Sequence, residues 1–262
     1  MRARQFRRLA NRLFVDRPES VLRRFKGRSH WPPLSLRRWV GSWADFDADG
    51  RWLIDQLSIR DLLPAGAQVL DVGCGCGRLA MALARDPRVA PLGLRYHGLD
   101  VDKPSIEWCR RHIGSEHDGF DFEHVGLRNR SYNPSGPLDA ATYRFPFADF
   151  SFDLVVAASL FTHLVAAEME HYLGEMARLL AGRGTLWATF FLFGNPAAPP
   201  DRHPVDFPHR DGKVAFHSQR EPENAVSFAE SYVLEVAAAS GLELAEPIAY
   251  GPHDHLFFKR AE

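Results

Sequence analysis

Along the chain, short apolar runs bounded by glycine, proline and acidic residues predict strands near residues 68–72, 96–100, 120–125, 152–158 and 184–192. Apolar residues at helical spacing predict helices near 78–85, 104–113, 166–180 and 227–240, and two further strands follow at 242–245 and 255–259. Strands and helices thus alternate, the order that gives an α/β fold with helices on both faces of a parallel sheet. Ahead of this alternation, Phe6, Leu9, Ala10, Leu13 and Phe14 predict an amphipathic helix ending near Pro18, and a second helix is expected from about Glu19 to Lys26. The chain divides on this reading into an N-terminal helical extension, residues 1–60, and an α/β domain, residues 61–262. Within the domain, residues 194–224 hold six prolines and read as a long irregular lid.

One junction carries candidate chemistry. The strand Val69-Leu70-Asp71-Val72 runs into Gly73-Cys74-Gly75-Cys76-Gly77 and then into the helix former-rich Arg78-Leu79-Ala80-Met81-Ala82-Leu83-Ala84. Glycine at alternate positions lets the backbone turn tightly and approach a ligand at the helix that follows. The next strand, Tyr96-His97-Gly98-Leu99-Asp100, ends in a carboxylate at the spacing where nucleoside-binding α/β folds hold ribose hydroxyls. A turn-capping carboxylate is the plainer reading of Asp100, and Asp102 competes for the same role. The dinucleotide fingerprint G-x-G-x-x-G is not met, because Arg78 stands where its third glycine belongs.

The pattern Asp71-x-Gly73-x-Gly75-x-Gly77 resembles motif I of class I S-adenosylmethionine (SAM)-dependent methyltransferases. Downstream, Phe145 to Val156, the loop Ser159-Leu160-Phe161-Thr162-His163-Leu164, and the helix and glycine turn ending in Gly182-Arg183-Gly184-Thr185-Leu186 resemble later segments of that family in the expected order. The segments Ile106-Glu107-Trp108-Cys109 and Arg128-Asn129-Arg130-Ser131-Tyr132-Asn133-Pro134 further resemble a bacterial subgroup associated with glycan or small-molecule modification. The resemblance implies a doubly wound, mostly parallel seven-stranded Rossmann-like sheet whose last strand runs antiparallel. It implies SAM as cofactor, held by Asp71, Gly73, Cys74, Gly75 and Gly77, with Asp100 on the ribose, Val101 against adenine and Ser159 on the loop after the fourth strand. Many relatives carry an acidic residue after the third strand to meet the adenine amino group. None aligns here, which leaves backbone near Thr142 for that contact.

The acceptor is narrowed by what the loop after the fourth strand lacks. Ala158-Ser159-Leu160-Phe161 stands where amino-methylating enzymes carry an Asn/Asp-Pro-Pro-aromatic run, and no cysteine is placed as a cytosine-C5 nucleophile. His163 is the candidate general base for an acceptor hydroxyl, against the plainer reading of a buried histidine bonded at the sheet edge; His203, His209, His217 and His253 are its rivals. The expected activity is O-methylation of a small-molecule or glycan acceptor. The alternatives are an RNA or lipid methyltransferase docking through a basic arm, and an idle SAM-binding scaffold.

Charge gives that arm its interest. Residues 1–40 hold twelve Lys or Arg against Asp16 and Glu19, a net of +10 in a chain whose total is −1. This segment either docks on an anionic surface or protein partner or is a solvated helix folded over the acidic domain. Trp39, Trp43, Phe46 and Trp52 then either wall a substrate cleft or fill the core. At 45% hydrophobic and 25% charged, the composition is that of a folded globular chain rather than a disordered one. Three cysteines, two of them in the glycine loop, suit neither a disulfide framework nor a metal site, so no metal is expected. The absence of a long apolar run or an apolar leader core points to a cytoplasmic setting.

Overall fold

The computed structural model describes residues 15–37 and 45–261. It opens with α1 (Arg17–Phe25), α2 (Leu34–Arg37) and α3 (Phe46–Ser58). The second expected N-terminal helix is α1; the expected helix before Pro18 falls almost wholly outside the described residues, as do Trp39 and Trp43. Asp45 starts α3, its carboxylate accepting the Ala48 N–H at 2.9 Å, which satisfies one of the free donors of the first turn. Phe46, Leu53, Ile54 and Leu57 then recur on one side and are buried. Although the sequence reading assigned this helix to an extension, it packs into the same core as the sheet.

The sheet is laid down by β1 (Gln68–Val72), α4 (Arg78–Arg85), β2 (Arg95–Asp100), α5 (Lys103–Cys109), β3 (Phe120–His124), β4 (Phe152–Ala157), α6 (Ala166–Leu179) and β5 (Leu180–Phe190). After β6 (Leu192–Phe193), β7 (His209–Asp211), β8 (Val214–Phe216) and β9 (Val226–Ala229), the chain closes with α7 (Glu230–Ala239), β10 (Leu242–Leu244) and β11 (Asp254–Arg260). Seven strands form the main sheet in the order β3-β2-β1-β4-β5-β11-β10. β1 to β5 pair in parallel, while β11 runs antiparallel to β5 and β10 antiparallel to β11. The order reverses between β1 and β4, and a reversal of this kind opens a crevice at the carboxyl ends of the strands.

Successive strand residues point to opposite faces, and both faces are apolar. Leu70, Val155, Leu186 and Phe258 join the core beneath α6 and α7, whereas Val69, Leu154, Trp187 and Phe257 join the core beneath α3 and α4. Three boundaries differ from the sequence pattern, one of them the helix expected from residue 227, which begins at Glu230 because Val226–Ala229 pair as a strand instead. α5 passes at Arg110 into a wider π turn ending at Gly114, and β5 begins at Leu180, four residues before the expected start, through an irregularity opposite Phe152. At that irregularity a Cβ on Gly184 would stand 2.8 Å from the Phe152 carbonyl oxygen, so glycine is needed for the close approach.

The segment 194–224 is not irregular throughout. It contributes the β7–β8 hairpin, turned at Gly212 with φ of 55°, to a second sheet in the order β6-β9-β8-β7. The segment is also pinned near its start: Arg202 grips the fully buried Asp254 carboxylate at 2.7 and 2.9 Å, and the same carboxylate accepts the Leu192 N–H at 2.9 Å. A buried carboxylate is tolerated when it is paired and hydrogen-bonded in this way. Among the described residues, no helix is long and apolar enough to cross a membrane.

Candidate active site

The crevice at the carboxyl ends of β1, β2 and β4 holds a cavity of about 330 Å³. Its floor is the glycine loop. Gly73, Gly75 and Gly77 have φ of 81°, 54° and 79°, left-handed values that β-carbons oppose, which explains the alternate spacing. The loop is clamped to the end of β2: the Gly73 and Cys74 N–H groups donate to the Leu99 carbonyl at 2.8 and 3.0 Å, and the Gly75 N–H donates to Asp100 Oδ2 at 2.7 Å. Asp100 Oδ1 accepts the Asp102 N–H at 2.7 Å, so one carboxylate orders the loop, the strand end and the approach to α5. Asp102 itself caps α5 through the Ser105 N–H at 3.1 Å.

Two carboxylates therefore meet under the loop. Asp71 is buried and accepts the Tyr96 hydroxyl at 2.6 Å; withdrawal from water raises its pKa to about 7. Asp100, half-buried at the cavity, is raised by the same desolvation to about 6, its backbone donors working in the opposite direction. Cys74, Cys76 and Cys109 are buried free thiols, and burial pushes all three upward, so they act as apolar packing around the loop.

The opposite wall comes from the loop after β4. Ser159 has a φ of 60°, a strained value for a residue with a side chain, and is fixed there by its N–H donating to the buried Thr189 hydroxyl at 2.7 Å and its carbonyl accepting the Thr162 hydroxyl at 2.8 Å. A short turn, Phe161–His163, follows and brings His163 to the cavity. His163 Nδ1 lies 3.1 Å from the Glu223 carbonyl oxygen, so Nδ1 carries the proton and Nε2 the lone pair. Burial lowers the His163 pKa, holding the ring neutral, and the Tyr132 ring meets it edge-on at 5.6 Å. Glu223 couples this wall to the next loop, because its carboxylate accepts the Arg130 N–H at 2.5 Å.

Of the residues singled out in the sequence, Asp71, Gly73, Cys74, Gly75, Asp100, Val101, Ser159 and His163 line this one cavity. Gly77 does not; it starts α4, and a Cβ there would stand 2.6 Å from Ile113 Cδ1 and 2.9 Å from Cys109 Sγ, so its role is close packing of loop against α5 and the π turn. Thr142 is exposed and outside the lining, although Ala140 and Phe145 on either side of it line the cavity. Among the rival histidines, His253 lines the cavity with Nε2 at 3.4 Å from the Ser159 hydroxyl, and burial brings it down to about 4. His203 is tied to Asp254 and the Leu192 carbonyl, while His209 and His217 lie outside the lining. Tyr132, Glu168 and Tyr172 also face the cavity without having been singled out as site residues. Tyr132 sits in the quoted Arg128 to Pro134 run, so that run was its available signal; Glu168 and Tyr172 sit on α6 among ordinary helical residues. No group of His, Cys, Asp and Glu among the described residues is placed to hold a metal.

A doubly wound sheet with a glycine loop and an acidic β2 end at its switch point defines the Rossmann-like enzymes that hold a nucleoside cofactor across those strand ends. Residues 70–188 match the family described as "Methyltransferase domain", and this segment is a class I SAM-dependent methyltransferase domain. It is 32% identical over 138 residues to Methyltransferase GfsG of Streptomyces halstedii, covering 52% of this chain and 42% of that one. It is 31% identical over 78 residues to a ubiquinone biosynthesis O-methyltransferase of Nitrosococcus oceani, covering 30% of each. The chain thus spans less than half the length of these curated relatives. The fold matches that of 1,6-didemethyltoxoflavin-N1-methyltransferase from Burkholderia thailandensis with a TM-score of 0.55 at 16% identity, over 95% of this chain and 92% of that one.

The cavity suits SAM on its own terms. The left-handed glycine turn brings bare backbone to the floor, and a half-exposed carboxylate at the end of β2 faces the space beside it.

Proposed function

We propose that this protein transfers a methyl group from SAM to a hydroxyl of a small-molecule or glycan acceptor, with His163 as general base. The observation that carries this reading is the His163 ring: it borders the cavity, its Nδ1–H is committed to the Glu223 carbonyl, and burial keeps Nε2 unprotonated. Bound SAM supplies an electrophilic methyl group on its sulfonium. The chain's residues do the rest. Asp100 accepts the ribose hydroxyls, Asp71 ties the end of β1 to β2 through the Tyr96 hydroxyl, and Gly73 and Gly75 let the backbone approach the methionine part of the cofactor. Val101 packs on adenine, and Ser159, held in its strained conformation, aims its hydroxyl into the cavity. With SAM bound, its sulfonium would supply the methyl carbon to the acceptor oxygen and keep the electron pair of the broken bond, and His163 Nε2 would take the acceptor proton. The likeness to the N. oceani O-methyltransferase supports an oxygen acceptor, and that to GfsG supports the methyl transfer itself.

The test is incubation of the protein with methyl-labelled SAM and separated small-molecule, glycan, lipid and RNA fractions. Label in a hydroxyl-bearing small molecule or glycan, released on acid cleavage as a methyl ether, is the expected outcome. Label in RNA or lipid would overturn the acceptor class. Tight SAM binding with no label in any fraction would overturn the transferase reading in favour of a SAM-binding scaffold.

A further inference from the structure

We infer that α1 is a docking surface for an anionic phospholipid bilayer, separate from the cavity. Nothing in this helix is buried, and Val21, Leu22 and Phe25, at i, i+1 and i+4, expose 52%, 60% and 86% of their surface on one side of it. Exposed apolar residues scattered singly need no explanation, but three on adjacent positions of one short helix form a patch. Basic residues flank it: Arg17, Arg24 and Lys26 are exposed.

The acidic residues of the same segment are turned the other way. Asp16 accepts the Ser35 N–H at 3.0 Å and the Ser35 hydroxyl at 2.7 Å. Glu19 pairs with Arg23 at 2.7 Å and with the buried Arg37. Arg23 also donates to the Trp31 carbonyl, so Asp16, Glu19 and Arg23 hold α1 to the protein by its polar side, which leaves an outward face with apolar and basic residues and no acid. In the sequence, the helix is preceded by five arginines and no acidic residue in positions 1–14.

This pairing of apolar stripe and basic flanks fits a helix lying in the headgroup layer, its apolar side in the acyl boundary and its cations at the phosphates. A nucleic acid would engage the cations and leave Val21, Leu22 and Phe25 in water. A second copy of the chain is a poor fit as well, because three side chains on a nine-residue helix fall well short of the roughly 1,000 Å² that a stable interface buries.

The test is co-sedimentation of the full chain with vesicles of phosphatidylcholine alone and of phosphatidylcholine with phosphatidylglycerol. Binding is expected to the mixed vesicles, weakening as salt is raised. Leu22→Ser with Phe25→Ser should weaken it by at least about tenfold, given the transfer free energy of two large apolar side chains. Arg24→Gln with Lys26→Gln should weaken it and flatten its salt dependence. Both double variants should melt at the parent temperature, since α1 contributes nothing to the core. No binding of the parent to mixed vesicles overturns the inference, as does equal binding by the parent and both variants. So does a lowered melting temperature in the apolar variant, which would place the stripe in the packing of the fold, or a parent dimer in sedimentation velocity that the apolar variant abolishes. Retention on single-stranded RNA that only the charge variant loses, without vesicle binding, would reassign the surface to nucleic acid.

Discussion

Asp100→Asn separates the charge of the cofactor-facing carboxylate from its shape. In the parent, Oδ2 accepts the Gly75 N–H and Oδ1 the Asp102 N–H, both at 2.7 Å, and the residue lines the cavity. A bond from a ribose hydroxyl to this carboxylate contributes about 1.5–3 kcal/mol because the acceptor is ionised. Its loss should raise the SAM dissociation constant by roughly 10–150-fold. The same carboxylate makes parent affinity depend on pH. With the pKa raised to about 6, protonation turns an acceptor into a donor, so binding should weaken as pH falls through 6 and level off as pH rises above it. Below that point the fall should approach about tenfold per pH unit. Asp71, raised to about 7, remains in the variant, so whatever pH dependence persists there belongs to the Tyr96-bonded carboxylate. Calorimetric titration with SAM from about pH 5 to pH 8, alongside melting of the ligand-free proteins to confirm that the loop still folds, is the assay. An Asn variant with the parent's dissociation constant and pH profile would refute the placement of ribose on Asp100.

Three further outcomes are expected. His163→Ala and His163→Asn should both lower turnover by roughly 10²–10⁴-fold with SAM affinity kept, but only the alanine should also lose about 1–3 kcal/mol of stability in urea unfolding, because asparagine retains an N–H for the Glu223 carbonyl. Since burial depresses the His163 pKa, parent turnover should hold steady through neutral pH and fall only below the ordinary imidazole range; an asparagine variant of parent activity would make the ring structural. Gly77→Ala should destabilise by about 1–3 kcal/mol through its φ of 79° and the Cβ contacts at 2.6 and 2.9 Å, and an unchanged urea midpoint would show that the loop yields there.

Much of the site was legible because its signals are local. The glycine loop and Asp100 are neighbours in sequence to the strands that position them, so spacing alone put them together. The central strands β1, β4 and β5 were legible for a related reason: they run five, six and eleven residues and are buried on both faces. β7 and β8 have three residues each, too few for alternation to show, and the second sheet exists only because β9 lies beside them. Ser159 and His253 meet across 94 residues, a contact that no spacing rule reaches. The α5 boundary slipped because the pattern from 104 to 113 is continuous and the change from α to π geometry leaves the apolar spacing intact. The Thr142 side chain is exposed, while Ala140 and Phe145 on either side of it line the cavity, so the backbone near that position borders the cofactor space.

The hairpin in segment 194–224 changes the thermodynamics of admitting an acceptor. A disordered flap of that length would have to surrender conformational freedom each time it closed, at about 1–2 kcal/mol per residue fixed. Here β7 and β8 are already ordered against β9, Arg202 is already fastened to Asp254, and Pro204 and Val205 already face the cavity. The ordering belongs to folding rather than to binding. An acceptor therefore meets a preshaped wall, and its free energy of association reflects how well it fits that wall instead of how much chain it must gather. Substitutions at Pro204 and Val205 should then exchange one acceptor for another while leaving the hairpin, and the cofactor beneath it, undisturbed.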